Sequence, residues 1–144
     1  MLVKELLFQK TVITAEKSTS IRQAMQCMLD KRISCLPVIG ERKELVGIIS
    51  DKDIFRLLYE NGDVIGESVV GDHMSTNLIV GLSTDEVEYI ATIMTNNRIR
   101  HVPIVDGKNL IGLVSVGDIV KNQIEGYVAE NRYLRQYIDG SYPA

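Results

Sequence analysis

The chain has 144 residues, of which 45% are hydrophobic and 24% charged, and its formal net charge at pH 7 is −3. That length suits one domain or two small units sharing a core, and the composition is that of an ordinary globular protein. The acidic balance leaves no general footprint for nucleic acid, no apolar run approaches the roughly 18 residues of a membrane span, and the charged opening Met1-Leu-Val-Lys-Glu-Leu-Leu-Phe8 is unlike a signal peptide. Cys27 and Cys35 are the two cysteines. They read as small core residues in a reducing compartment, with neither a disulfide nor a metal implied, so a cytoplasmic protein is expected.

In chain order, Val3, Leu6 and Leu7 predict a short amphipathic helix over residues 3–9, and Thr11-Val-Ile-Thr14 a brief strand. Ser18-Thr-Ser20 precedes a helix whose stripe is Ile21, Ala24, Met25, Met28 and Leu29, running to about Lys31. Residues 33–39 predict a buried strand; Pro37 places it at an edge or at a strand start, since proline cannot donate to a ladder. Residues 40–44 form a polar hairpin turn, residues 45–49 the returning strand, and Asp51 to Tyr59 a closing helix.

Asn61, Gly62, Gly66 and Gly71 punctuate a linker over 61–73, after which the order repeats. Leu78 to Val80 is a strand and Asp85 to Asn96 a helix with Val87, Ile90, Ala91 and Met94 on one face. Ile99 to Val105 is a strand holding Pro103, Asp106-Gly107 a turn, Leu110 to Val114 the returning strand, and Val116 to Ile124 the closing helix. The repeat is testable by offset. Ile21/Val87, Met28/Met94, Arg32/Arg98, Ile33/Ile99, Pro37/Pro103 and Val38/Ile104 lie 66 apart, whereas Leu45/Leu110, Gly47/Gly112, Ser50/Ser115, Asp53/Asp118 and Ile54/Ile119 lie 65 apart, which needs one deletion in the hairpin turn. A β-α-β-β-α unit is written twice, and neither copy alone holds much core.

The chemistry concentrates where each returning strand runs into its helix, at Gly47-Ile-Ile-Ser50-Asp-Lys-Asp53 and Gly112-Leu-Val-Ser115-Val-Gly-Asp118. Free N–H groups and a Ser hydroxyl at the positive end of a helix dipole suit a phosphate. An Asp one turn later can accept hydrogen bonds from two neighbouring hydroxyls, as on a ribose. The same Ser-x-x-Asp also reads as a plain capping box. His73 and His101 lack the spacing of a zinc site, and no phosphate-binding loop of a hydrolase, dinucleotide fingerprint or nucleophile elbow is present. The pattern indicates binding without catalysis, with no cofactor required.

Lys31-Arg-Ile-Ser-Cys-Leu-Pro-Val38 followed by Gly47-Ile-Ile-Ser-Asp-Lys-Asp53, and Arg98-Ile-Arg-His-Val-Pro-Ile104 followed by Gly112-Leu-Val-Ser-Val-Gly-Asp118, resemble the cystathionine-β-synthase (CBS) domain in tandem, over roughly residues 8–125. The chain looks like the small stand-alone bacterial members. The resemblance implies an α/β (α+β) fold of two β-α-β-β-α repeats packed as a pseudo-two-fold pair, with small sheets flanked by helices. Repeat one would cover 8–60, the linker 61–73, repeat two 74–125 and a C-terminal helical tail 126–144.

It also implies a regulatory module that binds adenosine nucleotides (AMP, ADP or ATP, or NAD) in clefts between the repeats. One cleft would use Ser115, Gly117 and Asp118, with Arg100 and His101 toward the phosphates and Ile13, Ile33 and Ser34 around the base. The other would use Ser50, Lys52 and Asp53, with Ile79, Ile99 and Arg100 near the base. The first is expected to be the stronger, because Ser34 and Cys35 offer no charge where Arg100 and His101 do. Gly117 lets a ligand close to the backbone, and Asp51 in the first repeat would repel an anion. The alternative is a structural or protein-interaction pair that holds no nucleotide, or one that takes S-adenosylmethionine.

Ile124, Val128, Leu134 and Ile138, beside Tyr127 and Tyr137, form a further helical stripe interrupted by Gly126 and ended by Gly140. It either folds onto its own body or covers a second copy. The resemblance tips this toward a homodimer, with an unidentified protein partner also open.

Overall fold

The computed structural model describes residues 1–62 and 67–138. Among the described residues, five α-helices and five strands follow the doubled order: α1 (Val3–Leu7), α2 (Ile21–Lys31), β1 (Cys35–Ile39), β2 (Leu45–Ser50), α3 (Asp51–Asn61), β3 (Gly81–Leu82), α4 (Val87–Asn97), β4 (His101–Asp106), β5 (Asn109–Ser115) and α5 (Val116–Ile138). Mixed helices and small sheets arranged as two repeats are therefore the observed class. β1 and β2 pair antiparallel with Cys35 opposite Ser50, and β4 and β5 pair antiparallel with His101 opposite Ser115. The equivalence read from the sequence offsets is thus an equivalence of register.

Each repeat buries one face of its helices on its sheet. Ile21, Leu36, Val38 and Ile49 fill the first core, and Val87, Ile90, Val102, Ile104 and Val114 the second. Burying a large aliphatic side chain of this kind contributes about 1.5–3 kcal/mol. The chain crosses between the cores. Val3 of α1 is fully buried in the second core, where the Val3 N–H donates to the Asp85 carbonyl at 2.9 Å and the Val87 N–H to the Met1 carbonyl at 2.9 Å. In return, Val70 and Met74 pack on the first core, with the Val70 N–H bonded to the Thr19 carbonyl at 2.7 Å and Ile48 and Ser75 exchanging bonds of 3.0 and 2.8 Å. Apolar residues on either side of a short repeat complete whichever core still exposes a strand face. Residues 8–14 are thereby drawn across from the second repeat to the first.

Several expectations are corrected. Residues 11–14 form no ladder; the chain pairs only one residue later, where Ala15 bridges Val38 in parallel. Its N–H donates to Pro37 O and its carbonyl accepts from Ile39 N, both at 2.9 Å. Pro37 thus faces the sparsely bonded side of β1, where it interrupts least. The strand placed at 78–80 is found as the two-residue β3 at Gly81–Leu82, parallel to β4. At Gly81 a side chain would run into Ile90 Cδ1 at 2.6 Å, so glycine lets the strand approach the core. α5 is a single helix of 23 residues that passes through Gly126 without a break. One exposed glycine costs only about 1 kcal/mol, too little to end a helix with sound flanks. Gly66, Gly140 and the Tyr137 side chain lie outside the described residues. Among the described residues no helix is long and apolar enough to cross a membrane.

Candidate functional site

The two helix starts are locally alike. Ser50 N–H donates to Asp53 Oδ2 at 2.8 Å while Asp53 N–H donates to Ser50 Oγ at 3.2 Å. At α5 the Ser115 and Asp118 pair repeats this at 2.8 and 3.1 Å. Both are closed capping boxes, each satisfying the N–H groups of its Ser and its Asp whether or not anything binds.

Their surroundings differ. A cavity of about 450 Å³ opens at the start of α5, lined by residues from both repeats. All eight residues proposed for the stronger cleft lie on it: Ile13, Ile33, Ser34, Arg100, His101, Ser115, Gly117 and Asp118. Lys10 and Arg32 line it too, and sequence reasoning missed both as site residues. Lys10 Nζ donates to the Leu113 carbonyl at 2.7 Å and forms an ion pair with Asp118 Oδ2. The crossing of residues 8–14 is what brings it there. Arg32 ends α2 in the left-handed conformation at φ 55°, and Arg98 does the same for α4 at φ 54°. Arginine in that region twice, where glycine is the usual choice, was a usable signal, since the Arg32/Arg98 match was visible in the offsets. Sequence held no comparable sign for Lys10, whose counterpart at an offset of 66 is Thr76.

The cavity therefore has three cations, Lys10, Arg32 and Arg100, around one carboxylate, Asp118. Burial pushes the Asp118 carboxyl up, but the Lys10 ammonium and the Ser115 N–H outweigh it and hold it below the usual carboxylate range. His101, half-buried, is held below its ordinary value by burial first and then by Arg100 and Lys10, with Asp118 and Asp51 opposing, so it is neutral at pH 7. The Cys35 thiol on the cavity wall is pushed up to about 12 by burial and by the carboxylates Asp53 and Asp51, which keeps it protonated and a poor nucleophile.

The residues proposed for the weaker cleft are not gathered on this cavity, apart from Arg100. Asp53 opens instead onto a small pocket of about 140 Å³ with Arg56, Leu57, Glu60 and His73. Lys52 is exposed, Ile79 is surface-facing, and Ile99 packs on the second core. Register also corrects the comparison of Asp51 with Gly117. Asp51 is the first residue of α3 as Val116 is of α5, so Gly117 answers to Lys52. Asp51 pairs with Arg100 across the repeats at 3.5 Å; both side chains are more than half exposed, and a pair of that kind adds little stability. Among the described residues no cluster of His, Cys, Asp and Glu suits a metal ion.

The CBS domain profile matches residues 3–60 and again 70–125. The chain is 33% identical over 127 residues to the mitochondrial CBS domain-containing protein CBSX3 of Arabidopsis thaliana, a match that covers 85% of this chain and 62% of that relative, so it spans less than two thirds of CBSX3. Among solved structures, the CBS domain pair of protein MJ0100, in complex with 5-methylthioadenosine and S-adenosyl-L-methionine, superimposes with a TM-score of 0.77 at 30% identity, covering 88% of this chain and 98% of that one. CBSX2 in complex with AMP superimposes with a TM-score of 0.76 at 28% identity, covering 86% and 96%.

Proposed function

Because this chain belongs to the CBS domain family and carries the domain twice in tandem, we propose that it is a non-catalytic regulatory module. In this reading it binds an adenosine nucleotide (AMP, ADP or ATP, with NAD as a further candidate) in the cavity at the start of α5. The observation that carries the reading is the convergence of Lys10, Arg32 and Arg100 on one cavity of a chain whose net charge is −3. A local excess of cations in an acidic protein selects an anionic ligand, and guanidinium groups give phosphate its strongest partners.

The phosphates lie toward Arg100, Arg32 and the N-terminus of α5, where Gly117 leaves the backbone open. A ribose hydroxyl donates to Asp118, whose protein contacts all fall on Oδ2 and leave Oδ1 for the sugar. Lys10 keeps that carboxylate ionised before a ligand arrives. Ile13, Ile33 and Ser34 wall the base. The cleft of Ser50, Lys52 and Asp53, with Ile79 and Ile99, is the weaker or empty one. Binding stiffens the contact between the repeats and shifts the population of an associated state. The exposed Phe55 and Tyr59 on α3, with their counterparts Val120 and Ile124 on α5, supply apolar faces on which a second copy, or an unidentified protein partner, docks.

S-adenosylmethionine is the second reading, favoured by the MJ0100 complex. Its sulfonium is cationic, which three neighbouring cations oppose. Thermal unfolding with AMP, ATP, NAD, S-adenosylmethionine or 5-methylthioadenosine separates these readings. A ligand present at 100 times its dissociation constant stabilises by about 2.7 kcal/mol. The expected order places phosphate-bearing ligands first; a shift with S-adenosylmethionine alone selects the second reading, and no shift with any of them leaves an interaction module without a nucleotide.

A further inference from the structure

Two cavities meet at one ion pair. The cavity at the start of α5 and a second of about 420 Å³ beside α1 both have Lys10 and Asp118 in their walls, and among the described residues these two alone are common to both. Lys10 is held there by two acceptors, its Nζ donating to the Leu113 carbonyl at 2.7 Å and to Asp118 Oδ2. At the equivalent edge of β2 the Ile48 carbonyl accepts from the Ser75 N–H at 2.8 Å, so on β5 a lysine side chain takes the place of a backbone donor. The turn after α1 aims it. Gln9 adopts the left-handed region at φ 64°, the Lys10 N–H donates to the Leu7 carbonyl at 3.0 Å, and Leu7 lies so close on β5 that a side chain at Gly112 would meet its Cδ2 at 2.6 Å. Asp118, Lys121 and Asn122 of the second cavity share one face of α5, so that space runs along the helix away from its N-terminus.

We propose that Lys10 is a specificity-determining residue: closed on Asp118, it walls the first cavity from the second and admits only nucleotides whose ribose hydroxyls are unsubstituted. The inference rests on the nucleotide reading above, in which phosphates lie at the N-terminus of α5 and a ribose hydroxyl on Asp118 Oδ1. A group carried on the ribose then faces the ion pair, and the space able to take it lies beyond. To let it pass, Lys10 has to leave both acceptors at once, which deprives the Leu113 carbonyl of this donor and bares the Asp118 carboxylate. Extension of the phosphate chain runs the other way and meets no such wall. With Lys10 shortened the two spaces join, and Leu6 and Phe8 on the far side give apolar cover to an aromatic substituent. Exclusion by a filled wall is specificity built against the wrong ligand rather than toward the right one.

Isothermal titration of the full chain with AMP, and with AMP carrying an N-methylanthraniloyl ester on its ribose, tests this. We expect the parent chain to bind the ester at least about tenfold more weakly than AMP, the cost of forcing a bulky group into filled space. Lys10→Ala should bring the two affinities close together, whatever it does to each, and Lys10→Arg should keep the parent ratio. Adding Asn122→Trp to Lys10→Ala should restore the discrimination by filling the second cavity. The Lys10 side chain is 33% exposed and belongs to neither core, so its truncation leaves the fold intact. A lysine that only anchored its segment would, when truncated, weaken both ligands alike and leave their ratio unchanged. A parent chain that takes both ligands equally, or a ratio that Lys10→Ala does not move, overturns the proposal while the nucleotide reading stands; a parent chain that binds neither overturns both.

Discussion

At the start of α3, Ser50 and Asp53 cap one another over 2.8 and 3.2 Å, and at the start of α5 Ser115 and Asp118 do so over 2.8 and 3.1 Å. The first opens beside a pocket of about 140 Å³ that includes Glu60, whereas the second opens into about 450 Å³ with Lys10, Arg32 and Arg100 on its walls. A motif that answers the backbone needs of a helix end can thus be conserved between two halves of one chain while its electrostatic setting is not. That setting comes from other segments. Lys10 reaches Asp118 because α1 is anchored in the second core, and nothing charged takes its place at Thr76.

The largest effects test whether the halves form one cooperative body. Ile49→Ala in the first core and Ile104→Ala in the second each remove a fully buried side chain and should cost about 2–5 kcal/mol. In urea titrations both should move one shared transition, since α1 and residues 67–75 tie the cores crosswise; two separate transitions would break the comparison at its root. Next, Asp118→Ala should weaken AMP binding at least about tenfold, the value of a hydrogen bond to a charged group, while Asp53→Ala leaves it nearly unchanged. Isothermal titration decides, and equal losses would return the two helix starts to parity.

The pH dependence should differ in the same sense. His101 is held below its ordinary value, so the unfolded chain takes up this proton first and stability falls as pH drops below about 6.5. The lowered Asp118 carboxyl adds a contribution that is in place above the usual carboxylate range and fades as pH falls through its depressed value. Thermal midpoints between neutral and mildly acidic pH should therefore decline, with a shallower slope in His101→Gln. The smallest effect is that of Asp51→Ala. Stability should change by no more than about 1 kcal/mol, because the pair with Arg100 is exposed, while AMP affinity should rise a few-fold as the guanidinium is released. A fall in affinity would show that Asp51 holds Arg100 in place for the ligand.

The helices were legible wherever a cap and a 3.6-residue stripe coincided. Ser20 does accept from Gln23 N–H at the start of α2, and α2 ends at Lys31 as the stripe predicts. The antiparallel hairpins were legible because each closes locally. The parallel contacts of Ala15 and of β3 were misplaced by a residue or more, because two hydrogen bonds to a strand distant in sequence leave no periodicity behind. Residues from Ile13 to Asp118 on the larger cavity could be nominated from doubled register and family resemblance. Lys10 could not, because it belongs to no motif and acts only through where its segment is carried.

By itself the sequence determined the doubled β-α-β-β-α order, the two capped helix starts and the residues that could face a groove, because propensity, capping and strand register act over a few residues. Only the tertiary structure decided that Lys10 and Arg32 join Arg100 on the cavity at the start of α5, that each core borrows a segment from outside its own repeat, and that α5 runs on unbroken past Gly126. Those outcomes depend on apolar surfaces left uncovered by one part of the chain and filled by a distant one, and no local pattern records which distant segment arrives.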